Sequence, residues 1–201
     1  VELDRNRLHS LLSEQKTKLS IRDISRVGVK GYMFALIGGW LQRKLGSIVG
    51  VTPGSEMKLA VVLAKKNNAR IALIDQEIEI TLRKFSQRLT WKEKFRFVSD
   101  IFKGIFFKKK AMKELGVDVN IDLSKVPDKE LIKKMIGQLK VRYPNVYDVL
   151  VHQRNVIMAN NIVKLMHQFP DEKILAVVGA GHEEYILAIV KKKMEARIDI
   201  V

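Results

Sequence analysis

The sequence predicts an α/β fold: a mostly parallel central sheet with helices packed around it and a helical-hairpin insertion. Three observations carry that expectation. Val1-Glu2-Leu3-Asp4, Ala69-Arg70-Ile71-Ala72-Leu73-Ile74 and Lys173-Ile174-Leu175-Ala176-Val177-Val178 are short apolar runs ending at polar or glycine residues, and each reads as a strand. Segments with helical spacing separate them, and strands alternating with helices imply a parallel sheet. Between the second and third runs lie two amphipathic segments with a sharp break, which read as a helical hairpin inserted between strands.

The elements follow in order. Asp4 is placed to cap a helix carrying Leu8, Leu11 and Leu12, and a second helix is expected over about residues 31–45. Gly50-Val51-Thr52-Pro53-Gly54 breaks the chain, and Thr52 as N-cap with Pro53 at the first helical position restarts it. The helix Pro53 to Lys66 is apolar nearly all round, which predicts burial. Ile78, Leu82, Phe85 and Leu89 repeat at helical spacing. Thr90 and Glu93 then form a capping box that starts a new helix with Trp91, Phe95, Val98, Phe102 and Ile105 on one face. Its other face carries Lys92, Lys94, Arg96 and Lys103 and ends in Lys108-Lys109-Lys110. After a loop near residues 116–127, helices are expected over about 128–139 and 144–168, and another after Gly179-Ala180-Gly181-His182. Residues 196–201 alternate and are expected to form a last, short strand.

The chain has 201 residues, 47% of them apolar and 29% charged, which is globular composition and suits one domain over 1–201. The helical insertion is placed at about 76–140. Because Val1-Glu2-Leu3-Asp4 looks like the end of a buried strand, the domain is expected to be N-terminally incomplete, with at least one strand upstream. No Cys is present, which excludes a disulfide framework, a zinc ribbon and a thiol nucleophile. The net charge of +15 predicts an anionic partner, either nucleic acid or a membrane surface. Nucleic acid is disfavoured, because the aromatics sit on apolar helical stripes and not among the lysines. The longest apolar run, Gly31 to Leu41, falls short of the roughly 18 residues that span a bilayer.

Gly179-Ala180-Gly181 at a helix start invites a dinucleotide reading, but the third glycine position is Glu184. Glu183 and Glu184 also place negative charge where a pyrophosphate would need the helix dipole. The glycines do permit a tight turn that presents His182 beyond the end of a strand, where ligands of open sheets bind. His182 is then a metal ligand or base, or simply a capping residue. Arg154 interrupts an apolar stripe of Val151, Met158, Ile162 and Leu165. A guanidinium there needs a partner, either in a structural ion pair or in a polar site. Glu56 is similarly ambiguous, in the first turn of a helix expected to be buried. Glu2, Asp4 and Asp75 close predicted strands beside these groups, and convergence at strand ends is a stronger site signal than any one residue. His9, His152 and His167 show no metal-ligand spacing and read as surface residues.

Five blocks in order resemble the TraB family, which includes the pheromone-shutdown proteins and is related to the TIKI metalloproteases. They are Val1-Glu2-Leu3-Asp4 with Arg7; Pro53-Gly54-Ser55-Glu56-Met57; Leu73-Ile74-Asp75 with Ile78, Ile80, Thr81 and Arg83; Arg154-Asn155 with Met158-Ala159; and Val177-Val178-Gly179-Ala180-Gly181-His182. The resemblance implies a metal-dependent, peptidase-like hydrolytic site built from two Gly-x-x-His motifs, acidic residues and an Arg. It places Glu2, Glu56 and Arg154 as catalytic residues, and His182 and Glu2 as ligands of a divalent metal ion. The first Gly-x-x-His is expected upstream of Val1. Gln153 stands where an acidic residue is expected and Gln76 where an Arg is expected. The implied partner is a peptide; the aromatic stripe and the lysines of the insertion, expected to project from the core as a hairpin, point instead to an anionic membrane surface or a second copy of the chain. Membrane-spanning helices are expected after this domain, which would lie on the cytoplasmic side. The alternative function is a non-catalytic peptide-binding or membrane-associated scaffold module.

Overall fold

A computed structural model describes residues 1–13, 54–93 and 129–198, with residues 32, 36, 39, 95, 96, 99 and 100. The described residues form α1 (Arg5–Ser13), α2 (Ser55–Lys66), α3 (Ile78–Arg88), α4 (Lys129–Arg142), α5 (Pro144–Tyr147), α6 (Gln153–Gln168) and α7 (Glu183–Ile198). A five-residue π turn, Asp148–His152, joins α5 to α6. The expected helix over 31–45 falls largely outside the described residues, as do the 116–127 loop, Phe102 and the Lys108–Lys110 run.

The predicted sheet is overturned, because the described residues contain no strand and are mostly helical. The three predicted strands are present as non-helical segments lying side by side. The Val1 ammonium donates to the Ala72 carbonyl at 2.8 Å, Ile74 N–H to Val1 O at 3.2 Å, and Glu2 N–H to Val177 O at 3.1 Å. These few bonds do not continue into a ladder. Leu175, in the run that looked most like a central strand, is 86% exposed. A short apolar run fixes neither pairing nor burial, and here the flanking helices supply most of the buried surface. The last predicted strand also fails, since residues 196–198 complete α7.

Side-chain alternation survives without a ladder. Leu3, Ile71, Leu73 and Val177 pack with Met57 and Val61 of α2 and with Leu8 and Leu11 of α1. Their neighbours Ile74 and Val178 turn the other way, onto Met158, Ala159 and Ile162 of α6 and Ile186 of α7. The non-helical segments thus form a middle layer between two helix pairs, and their ends meet at one edge.

Local chemistry explains the helix ends. Asp4 Oδ1 accepts the Arg7 N–H at 2.9 Å, which caps α1 as its sequence predicts. The cap of α2 is Gly54 and not Thr52: its φ of 84° lies in the left-handed region, and an added Cβ would meet Leu11 Cδ2 at 3.1 Å. Burial of α2 is one-sided, with Met57 and Val61 inside and Leu59, Val62 and Leu63 exposed. Its other apolar residues face solvent, which corrects the expectation of a buried helix.

The insertion packs against the helices that follow it. Phe85 and Leu89 of α3 and its end are buried against Tyr143, Val146 and Val149. The capping box forms as predicted, with Thr90 N–H donating to Glu93 Oε2 at 3.1 Å and Glu93 N–H to Thr90 Oγ1 at 3.3 Å. Asn145 Nδ2 donates to Glu93 at 2.9 Å, and Asp100 accepts from Arg142 and from the Tyr143 hydroxyl. Trp91 and Phe95 remain exposed and stack on each other at 6.0 Å.

Candidate functional site

The ends of the three middle-layer segments deliver Glu2, Asp75 and Gly179–His182 to one edge, and α6 brings Arg154 and Asn155 across it. The π turn before α6 matters here. Gln153 N–H donates to Asp148 O, five residues back, so one extra residue is wound into the helix just before Arg154. That shifts the side-chain register, which a continuous helix over 144–168 would have kept.

Arg154 is the hub. Its Nε donates to Asp75 Oδ1 at 3.0 Å, and one terminal nitrogen donates to Asp75 Oδ2 at 2.7 Å and to Glu2 Oε1 at 2.5 Å. The other terminal nitrogen donates to Leu150 O at 3.3 Å, a carbonyl of the π turn. Burial alone would lower the Arg154 pKa, but the two carboxylates outweigh it and hold the group charged. Asp75, with its side chain 2% exposed, also accepts from Arg7 at 3.2 Å and from Gln76 N–H at 2.8 Å. Both of its oxygens are saturated.

Glu2 is equally fixed. Its Oε2 accepts the Gly179 N–H at 2.6 Å, and a Cβ at Gly179 would meet that oxygen at 3.2 Å. Glycine is required here for close approach. His182 follows in the same turn, its N–H bonded to Gly179 O at 2.8 Å. His182 Nδ1 lies 2.5 Å from Asn155 Oδ1, which assigns the ring proton to Nδ1 and leaves the lone pair on Nε2. Nε2 then faces Glu2 Oε1 at 3.5 Å. Burial lowers the His182 pKa most, Arg154 lowers it further, and Glu2 and Asp75 oppose them; the ring is neutral.

Of the predicted site residues, Glu2, Arg154 and His182 come together. Glu56 lies exposed in the first turn of α2. Two participants were not in the predicted set of site residues. Asp75 was visible as a strand-end carboxylate, and Asn155 had one signal, a polar residue beside Arg154 that turns out fully buried. Gln76 is buried next to the cluster, donating to Thr81 Oγ1 at 2.7 Å and accepting from Lys84 at 3.1 Å. Gln153 turns away, to Asp148 at 2.7 Å. His9, His152 and His167 are exposed, as their spacing suggested.

Chemically, His182 Nε2 and Glu2 Oε1 are two acceptors facing each other, and they need a proton, a water or a cation between them. Their separation suits two ligands of one ion bound at roughly 2.0–2.2 Å to each. Among the described residues, no group of three or more His, Cys, Asp or Glu could hold a metal. The pair by itself falls short of such a group. One buried side-chain oxygen among the described residues has no partner, Asp4 Oδ2. Among the described residues no helix is long and apolar enough to cross a membrane.

No solved structure matches. An uncharacterised protein of Methanocaldococcus jannaschii is 35% identical over 194 residues, covering 96% of this chain and 46% of its own length. The chain thus spans about half the length of that curated relative. The model of the TraB/PrgY/gumN family matches residues 4–192, nearly the whole chain. The chain belongs to the TraB/PrgY/gumN family.

Proposed function

We propose that this domain contributes His182 and Glu2 to a metal-dependent hydrolytic site directed at peptides. The observation that supports the reading is the facing pair of His182 Nε2 and Glu2 Oε1 at 3.5 Å, with His182 kept neutral and the Arg154 guanidinium on the same Glu2 oxygen. A divalent ion would be held by His182 and Glu2, and would supply a polarised water and a Lewis acid for an acyl centre.

The chain's own residues organise the site around that pair. Asn155 holds the His182 tautomer, the function a ligand's outer partner serves. Gly179 N–H and Arg154 hold the Glu2 carboxylate in a single orientation. Arg154 uses most of its donors on Asp75, Glu2 and Leu150, so its role here is to position Glu2, and not to stabilise an oxyanion. Glu56 lies exposed in the first turn of α2 and makes no bond to this pair among the described residues.

The test is hydrolysis of a mixed peptide pool by the full-length protein, with and without Zn²⁺, Mn²⁺ or Co²⁺. Metal-stimulated cleavage lost in His182→Ala supports the reading. Peptide binding without cleavage under every metal moves the protein to the non-catalytic binding module.

A further inference from the structure

We propose that Arg7 anchors a carboxylate of the ligand beside the His182–Glu2 pair, so that the site takes peptides bearing a free C-terminus or an acidic side chain. This rests on the peptide-directed reading above and names the chemistry that the ligand must carry.

Asp75 accepts four hydrogen bonds, from Arg154 twice, Arg7 and Gln76. Glu2 accepts from Arg154 and Gly179. Arg154 is spent on Asp75, Glu2 and Leu150. The surplus therefore lies with Arg7. A guanidinium carries five N–H donors, and among the described residues the Arg7 side chain uses one of them, at 3.2 Å to Asp75 Oδ2. Its side chain is 37% exposed against 17% for Arg154, so the remaining fork meets solvent at the rim of the same cluster.

Asp75 has Arg154 as its closer partner, at 2.7 Å, and shares its charge between the two guanidiniums. The two guanidiniums balance Glu2 and Asp75, so the open part of the Arg7 fork recruits a carboxylate by its geometry and not by surplus charge. Asp4, whose Oδ1 caps the same turn, is opposed by the positive end of α1. The planar fork matches a carboxylate in two parallel bonds, while Asp75 fixes its near edge. A Lys at this position would keep the charge and lose the fork.

The test uses phenylglyoxal modification of the full-length protein, mapped by mass spectrometry, with glutarate as the probe. Glutarate is expected to slow modification of Arg7 and to leave the exposed Arg83 unchanged. If Arg7 reacts at the same rate in saturating glutarate, the inference is overturned whatever peptides do. A second arm measures binding of dye-labelled random hexapeptide pools. The free-acid pool should bind wild type about fivefold more tightly than its C-terminal amide, with the difference lost in Arg7→Gln and partly kept in Arg7→Lys. An amidated pool that binds tightly once it carries Asp or Glu identifies a side-chain carboxylate as the source. Equal binding of the acid, amide and acidic-amide pools to wild type overturns the inference. If glutarate protects Arg7 but no pool binds, the peptide reading fails and the carboxylate anchor stands.

Discussion

Replacing Asp75 with Ala should destabilise this domain by about 3–5 kcal/mol, the cost of breaking a buried ion pair from one side. The side chain is 2% exposed and holds Arg154 in two bonds of 3.0 and 2.7 Å. Without it, a guanidinium that is 17% exposed keeps only Glu2 as an anionic partner. Arg7 loses a bond as well, but that group is more than a third exposed, and solvent screening holds such pairs to about 1 kcal/mol or less. Arg154→Met should also cost several kcal/mol, leaving Asp75 with Arg7 and Gln76 N–H. Because each single change strands the other's charge, the double variant should be less destabilised than the two singles added, by about 0.5–3 kcal/mol. Urea denaturation of all four proteins, at matched slope, measures each term. An Asp75→Ala cost below about 1 kcal/mol, or additive effects, would refute the account of a desolvated, mutually dependent pair.

Three further outcomes are expected. Gly179→Ala should push Glu2 off its amide, since the new Cβ would sit 3.2 Å from Oε2, and NMR of the His182 ring should report the shift while the fold persists. His182 has its pKa lowered by burial from an ordinary 6.5, so between the native value and 6.5 the unfolded chain binds a proton that the native one does not. Stability should therefore fall as pH is lowered through that window and level off below the native pKa; a His182→Gln variant with the same slope in urea midpoints would assign it elsewhere. Glu93, whose burial is outweighed by bonds from Asn145 and Thr90, has a lowered pKa, and Glu93→Ala should cost about 1 kcal/mol through the lost cap and the lost tie to Asn145. Urea denaturation measures that cost too, and a change of a few tenths would mean that the second insertion helix docks without it.

The helical parts of the sequence were legible because their signals are local. Asp4, the Thr90–Glu93 box and the apolar spacing of α3, α6 and their neighbours specify themselves within a few residues. The middle layer was misread as a sheet because alternation is present, but apolar runs report neither burial, as the exposed Leu175 shows, nor pairing between distant segments. The site was half legible. Arg154 and His182 stood out as charges and turns that a packed core would not otherwise need. Their partners depended on the π turn, which has no sequence signature here, and on Asn155, which reads like any helical Asn. Glu56 was overvalued because α2 looked buried on all sides, while only its Met57 and Val61 face is.

Whether His182 and Glu2 share a divalent ion is tested most directly by calorimetric titration of Zn²⁺, Mn²⁺ and Co²⁺ into the metal-stripped full-length protein. One ion should bind per chain in the wild type, and His182→Ala and Glu2→Gln should each weaken it by about tenfold or more. An ion that binds all three proteins with the same affinity would contradict the central claim.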